Sequence, residues 1–451
     1  MKLDFKHIEQ IYFIGIGGIG MSALAFHFIR LGKTVYGYDR IESEISNELE
    51  DKGALIEYDF NLKLAKQIQY DKSLIIFTPA VKSNQPVYNY FKSNNFELYK
   101  RAEILGQLSK NSICIAVAGT HGKTTITSML AFLLKENDEP VTAYLGGVSE
   151  NYQSNYIHNG DGVMVVEADE FDKSLLQLQP DYALISNIDA DHLDIYKNKE
   201  DLEQAFFDFS RLVEDHQKLF HLKGLPLNGQ SISVESKADH HQKNLRIENG
   251  AYIFDWVTPH HIIKDVKLKM PGKHNLFNAL AALALASAYK PEKAEDFANS
   301  LHKFIGVKRR FNYIKNNLNK IIIDDYAHHP AEIKAVLEAI KEMHAGESIM
   351  AIFQPHLFSR TRDFANEFAE ILSQFDNIKL LDIYPARETP IEGITAEYLC
   401  SKIKNDNKEV IQKDDILPAI KTTNCEVIAL MGAGDIGVEI NKLKKIYTHE
   451  S

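Results

Sequence analysis

Cysteine is scarce in this chain: three residues, Cys114, Cys400 and Cys425, among 451. They have neither a pairing pattern nor metal-ligand spacing, which argues against a disulfide framework or a cysteine zinc site. Cys114 falls inside an apolar run and reads as a small core residue of a reducing compartment. Positive charge is also short, since 51 Lys and Arg against 62 Asp and Glu leave 51 − 62 = −11. That balance disfavours nucleic acid and anionic membranes, so an anionic substrate would need local basic clusters. Low-complexity segments and short-period repeats are absent from the sequence. The apolar stretch Ile11 to Phe26 contains Gly15, Gly17, Gly18 and Gly20, lacks a basic leader and is soon followed by His27 and Arg30. It reads as a loop and helix rather than an export signal or a membrane span, and a cytoplasmic protein is expected.

What the chain does have is a series of apolar runs that end in chemically capable residues. The one that organises the rest is Ser112 to Ala118, rich in β-branched residues and followed by Gly119-Thr120-His121-Gly122-Lys123-Thr124-Thr125. A helical pattern follows from Ile126 to Leu134. Strand, glycine-rich turn, Lys-Thr and helix form the layout of a phosphate-binding loop. Glycines let backbone N–H groups approach phosphate oxygens, and the helix N-terminus adds positive charge. Lys123 can reach terminal phosphates and the Thr124 hydroxyl can ligate Mg²⁺. Val117 stands where the usual pattern has glycine, so the loop is a variant.

Two further runs point the same way. Gly162 to Val166 ends in Glu167-Ala168-Asp169-Glu170, and Tyr182 to Ile188 ends in Asp189-Ala190-Asp191-His192. Ligands of a parallel sheet sit beyond the carboxyl ends of its strands. Lys123, Thr124, Glu167 and His192 are therefore expected on one rim, as parts of a Mg-ATP site. The competing reading makes these acids helix caps or solvated loop charges. Residues 215–262 are polar, His-rich and weakly periodic, and the pairs His240-His241 and His260-His261 read as surface histidines. Asn275 and Asn278 share a helix face and are candidates to read an adenine edge, with capping the rival account of Asn275.

The flanking segments are also α/β. Gln10 to Ile14 is a strand, Gly15-Ile16-Gly17-Gly18-Ile19-Gly20 a turn, Met21 to Leu31 a helix, and Thr34 to Tyr38 a strand ending at Asp39. This pattern suits any pyrophosphate at a helix N-terminus, whether of a dinucleotide or a UDP-sugar. Asp39 either holds a ribose hydroxyl or ends a strand. A nicotinamide-dependent dehydrogenase is one alternative, weakened because a phosphate loop follows where a catalytic domain should stand. Near the other end, strands at Lys320 to Ile323, Ser348 to Phe353, Ile378 to Tyr384 and Glu426 to Met431 end in polar clusters. Among these, His328, Arg360, Arg362 and Arg387 are candidates to clamp a carboxylate or phosphate, no more than two of the arginines directly.

Taken together, the chain resembles the Mur ligases. The resemblance rests on G-I-G-G-I-G-M-S at 15–22, A-G-T-H-G-K-T-T at 118–125, E-A-D-E at 167–170 and N-I-D-A-D-H-L-D at 187–194. It continues through H-N-x-x-N at 274–278, D-D-Y-A-H-H-P at 324–330, F-Q-P-H at 353–356, S-R-T-R at 359–362 and G-A-G-D-I-G at 432–437. It implies three α/β domains: a Rossmann-like UDP-sugar domain at 1–107, a P-loop ATP domain at 108–307 and a Rossmann-like amino-acid domain at 308–451. It also implies a reaction of peptidoglycan precursor synthesis, in which ATP phosphorylates the lactyl carboxylate of UDP-N-acetylmuramate. L-alanine then attacks the acyl phosphate. Family roles carried onto matching positions put Thr124, Glu167 and His192 on metal, and Asn275 and Asn278 on adenine. Arg310 and Asp325 would serve ATP from the third domain, His328 and Arg360 would face the amino acid, and Gly15, Gly17, Gly18 and Gly20 would hold the UDP pyrophosphate. Lys123, Glu167, His192 and Arg310 are the expected catalytic set. Leu357 and Phe171 stand where many relatives carry Arg and Ser. A murein-peptide ligase of the same family is the nearer alternative.

Overall fold

Short apolar strands separated by helices dictate a layered α/β chain, and the computed structural model has three sheets. It describes residues 5–82, 84–188, 199–248, 250–386 and 388–449. The first sheet has five strands in the order Leu55–Glu57, Thr34–Tyr38, Gln10–Ile14, Ser73–Phe77 and Leu98–Lys100. All its pairings are parallel. Gln10–Ile14 is the strand at which the order reverses, so the turn after it lies at a topological switch point. The following helix, Ile19–Arg30, buries Met21 through Phe28.

The second sheet has ten strands. Ile113–Ala118 lies between Val163–Glu167 and Tyr182–Ile185, parallel to both. Register sets Val117 beside Glu167 and Ala118 beside Ile185. Beyond Val163–Glu167 come Val141–Ser149 and Ser154–His158, an antiparallel pair. The helix Lys123–Glu136 buries Ile126 to Leu134, and the Ala-rich helix Lys273–Tyr289 is buried along most of its length.

On its other side this sheet departs from expectation. The weakly periodic stretch holds Leu219–Leu222, Gln230–Ser233, His240–Glu248 and Ala251–Val257, and with Ile262–Leu268 just after it they extend the sheet to its edge. His240–Glu248 buries two residues and leaves most of the rest solvated, so no alternation survives in its sequence. Ala251–Val257, by contrast, is buried over six consecutive residues. His240 and His241 are buried, contrary to their surface reading. Burial holds the His240 ring down at about 4, and its Nε2 lies 2.8 Å from Gln230 Oε1.

The third sheet runs Asn312–Ile314, Ile321–Asp325, Val427–Met431, Ile349–Phe353, Asn377–Leu380 and Lys408–Val410. Only its first pairing is antiparallel. Apolar clusters cover both faces, one around Ile333, Phe353 and Phe368, the other around Ile352, Ile428 and Ile440.

Contacts divide the chain into two compact units, one of Met1–Arg246, Ile253–Leu268 and Phe277–Ile305, the other of Ile247–Tyr252, Lys269–Leu276 and Gly306–Ser451. The first two sheets thus share one unit and one apolar core, from Ile11 and Phe13 to Tyr144 and Phe206. Polar contacts join them too. Asn155 Nδ2 donates to Ser22 Oγ at 2.8 Å, and the His27 ring lies 3.1 Å from the Tyr156 hydroxyl.

Candidate active site

The phosphate loop is shaped by its neighbours. Gly119 has φ +130°, and a Cβ there would lie 2.1 Å from Ser186 Oγ. Gly122 has φ +83°, and a Cβ there would lie 2.7 Å from Asn278 Oδ1. No other residue type satisfies either position without strain. The segment after Tyr182–Ile185 clamps the loop: His121 N donates to Asn187 Oδ1 at 2.8 Å, Thr120 N to Asn187 O at 3.3 Å, and Ser186 Oγ to His121 O at 2.6 Å. Gly122 caps the helix that Lys123 opens, while Thr125 is already buried.

Lys123 folds back over this loop. Its Nζ donates to Gly119 O at 2.5 Å and to both oxygens of Glu170, at 2.7 and 3.0 Å. Burial opposes its charge, but Glu170, Asp169 and Glu167 outweigh that and raise its pKa. Glu170 is 1% exposed and belongs to the motif already singled out, yet its pairing with Lys123 was not foreseen. Beside it, Glu167 Oε2 accepts from Thr124 Oγ1 at 3.1 Å and Oε1 from Gly146 N at 2.6 Å. Burial pushes the Glu167 carboxyl up against the pull of Gly146, Lys123 and Thr124. Lys123, Thr124 and Glu167 therefore do meet on one rim. His192 lies outside the described residues.

Among the described residues no group of three or more His, Cys, Asp or Glu is arranged as a metal cage. Thr124 and Glu167 nevertheless fit Mg²⁺, which takes hard oxygen donors and keeps water and phosphate as its other ligands. Asn278 is buried with its amide oxygen toward Gly122. Asn275 is buried too, and its Nδ2 donates to Pro271 O at 2.7 Å, a link back to the chain before the helix.

The other glycine turn is closed on itself. Gly15 N and Ile16 N both donate to Tyr38 O, Gly18 N donates to Gly15 O, and Gly17 N donates to Asp39 Oδ2 at 2.8 Å. The second oxygen of Asp39 accepts from Arg40 N and Ile41 N. Asp39 therefore organises the turn and ends its strand. Gly20 is needed for room, since a Cβ there would lie 1.7 Å from Arg101 Nη1. Arg101 is a residue the sequence reading passed over.

In the second unit, Asp325 is buried and accepts from Phe311 N at 2.8 Å and Ala327 N at 2.7 Å. Burial pushes its carboxyl up to about 6 in spite of Arg310. Arg310 lies over the Tyr326 ring at 5.4 Å, and its Nη1 is 3.9 Å from Glu332. His328 Nδ1 is 2.9 Å from Tyr326 O and 3.2 Å from Glu332 Oε2; burial lowers its pKa although Glu332 pulls upward. The charge of Arg360, at the end of the same sheet, is felt at His328. Arg362 instead pairs with adjacent Asp363 and is about half exposed, a solvated pair. Arg309 is structural, held by Asp324 and Gly432 O, while Arg387 lies outside the described residues. Leu357 takes φ +71° ahead of the helix Phe358–Asp363, and Phe171 opens a 3-10 turn after Glu170.

Comparison with known proteins agrees with this geometry. Residues 10–112 match the model described as Mur ligase family, catalytic domain, residues 117–286 the Mur ligase middle domain, and residues 309–435 the Mur ligase, glutamate ligase domain. A UDP-N-acetylmuramate–L-alanine ligase of Christiangramia forsetii is 50% identical over 99% of this chain and 100% of its own length. The protein of the same name from Flavobacterium johnsoniae is 47% identical over 98% and 99%. Among solved structures, a UDP-N-acetylmuramate–alanine ligase of Thermotoga maritima superposes with a TM-score of 0.83 at 28% identity, covering 98% of this chain and all of that one. With three matching family models along its length and full-length relatives near half identity, the chain belongs to the Mur ligase family.

Proposed function

We propose that this protein is the ATP-dependent ligase that joins L-alanine to the lactyl carboxylate of UDP-N-acetylmuramate, in peptidoglycan precursor synthesis. The observation that carries the reading is the meeting of Lys123, Thr124 and Glu167 at adjacent strand ends, in a chain 50% identical over its length to a ligase of that name. A carboxylate is a poor electrophile until one oxygen becomes a leaving group. Transfer of the terminal phosphoryl group of ATP makes an acyl phosphate. The free amine of L-alanine attacks it, and the tetrahedral intermediate collapses to an amide and phosphate, with ADP also formed.

Two anions must meet in the first step, so the site has to supply positive charge. Lys123 supplies it by exchanging Glu170 for phosphate oxygens. Mg²⁺, when bound by Thr124 and Glu167, would neutralise charge on the transferring phosphoryl group. Gly119 to Thr125 cradle the phosphates, and Asn275 and Asn278 serve the adenine. Arg310 adds a second cation for ATP, and Asp325, whose carboxyl feels the Arg310 charge, serves with it. His328 and Arg360 face the amino acid, Arg360 meeting its carboxylate. The Gly15 to Gly20 turn receives the UDP pyrophosphate through the amides of Ile19 and Gly20. Among the described residues no helix is long and apolar enough to cross a membrane, and we place the reaction in the cytoplasm, where ATP is held.

The test is ADP release by the purified chain. ADP should appear only when UDP-N-acetylmuramate and L-alanine are both present, with glycine and L-serine as graded substitutes. Ligation of a tripeptide but not of alanine would reassign the chain to murein-peptide recycling. Hydride transfer with NADH would make it a dehydrogenase.

A further inference from the structure

Within the first unit, a cavity of about 170 Å³ lies between the glycine turn and the phosphate-loop strands. Ile19, Gly20 and Ala23 line it from the helix, Gly146 and Glu167 from the other sheet, and Arg101 and Asp169 complete it. Arg101 starts the helix Arg101–Ser109 and rests its guanidinium over Gly20. Its contact with Asp169 is a loose ion pair of 3.6 Å, and among the described residues its side chain has no hydrogen bond. A guanidinium carries five donors in a planar fork matched to a carboxylate. This one is 27% exposed and lines the same cavity as Glu167, yet its donors are unspent on hydrogen bonds.

We propose that Arg101 binds the carboxylate of the sugar-nucleotide substrate and holds it toward Glu167 for phosphorylation. The proposal rests on the ligase reading and names the group that recognises the acid. Gly20 then has a role apart from phosphate approach, because any side chain there would displace the guanidinium. Asp169 keeps the empty fork aimed, and the incoming carboxylate takes its place. Arg101 thus separates an acid-bearing sugar nucleotide from a neutral one.

Titration of the full chain with UDP, UDP-N-acetylglucosamine and UDP-N-acetylmuramate tests this. The wild type should bind the acid-bearing nucleotide at least about 10-fold tighter than the other two, the usual scale of a charge-assisted bidentate contact. Arg101→Ala should weaken that nucleotide about 10- to 100-fold and the other two by less than about 2-fold. Arg101→Lys should recover part of the loss, and Gly20→Ala should reproduce it in milder form by pushing the guanidinium aside without removing it. Equal weakening of all three ligands by Arg101→Ala would make Arg101 a pyrophosphate contact and overturn the proposal. Unchanged binding would overturn it as well. If Arg101→Ala fails to fold, the other two variants decide, and an unaltered preference for the acid in both refutes the idea. Failure of the wild type to bind any of the three would instead sink the ligase reading beneath it.

Discussion

Two glycine-rich turns in this chain follow a parallel strand and open a helix, yet they are built to opposite ends. In the turn at Gly15 to Gly20, the first four amides are all spent on Tyr38, Asp39 and Gly15. In the loop at Gly119 to Lys123, the clamp from Ser186 and Asn187 fixes the outline, and the lysine is held ready by Glu170. The glycines look alike in sequence because both turns need close backbone approach. What differs is the set of donors left over once each turn has folded, and that set decides what can bind.

The sharpest way to break this comparison is Lys123→Ala. Turnover should fall by about 100- to 1000-fold or more, the scale of a lost electrostatic contact to a transition state. UDP-N-acetylmuramate binding should stay within about 2-fold, read by titration. Parallel loss of both would mean the two turns are not separate stations. Next in size is Gly119→Ala, which combines an unfavourable φ with overlap at Ser186. We expect a loss of about 2–4 kcal/mol in chemical denaturation, with ATP binding abolished.

Glu170→Gln should act in between. It removes the carboxylate from a buried pair and should cost the ligand-free protein about 1–3 kcal/mol. A non-hydrolysable ATP analogue should narrow that gap in a thermal melt, because phosphate replaces Glu170 at Lys123. A gap of the same width with and without nucleotide would show that the lysine never changes partner. The smallest effect belongs to Gly18→Ala. Its φ is −62° and the nearest foreign atom to a Cβ, Gly15 O, is 3.4 Å away. Stability should move by less than about 0.5 kcal/mol. A large loss there would mean that the folded turn has no room for a Cβ beside Gly15 O.

Much of this architecture could be read ahead. Continuous apolar runs such as Cys114 to Ala118 and Ile349–Phe353 are buried on both faces and announce themselves as strands. The rim that joins Lys123, Thr124 and Glu167 follows from strand ends in a parallel sheet, with no knowledge of side-chain contacts. The strands between Leu219 and Leu268 were missed for two reasons. His240–Glu248 is too solvated to alternate, while the run Ala251–Val257 was a usable signal hidden among polar neighbours. Glu170, Asn187 and Arg101 were missed for a different reason. Each acts on a residue 47, 66 or 81 positions away, and such pairings leave no local trace.

The shared core beneath the first two sheets has a further meaning. His27 against Tyr156 and Ser22 against Asn155 fasten the Ile19–Arg30 helix to the strand Ser154–His158. Folding itself therefore sets the spacing between the two turns, as a jig sets the gap between two drill holes. A tethered inhibitor with one head for each turn would meet a span already cut to length, and its linker could be chosen by ruler rather than by screening.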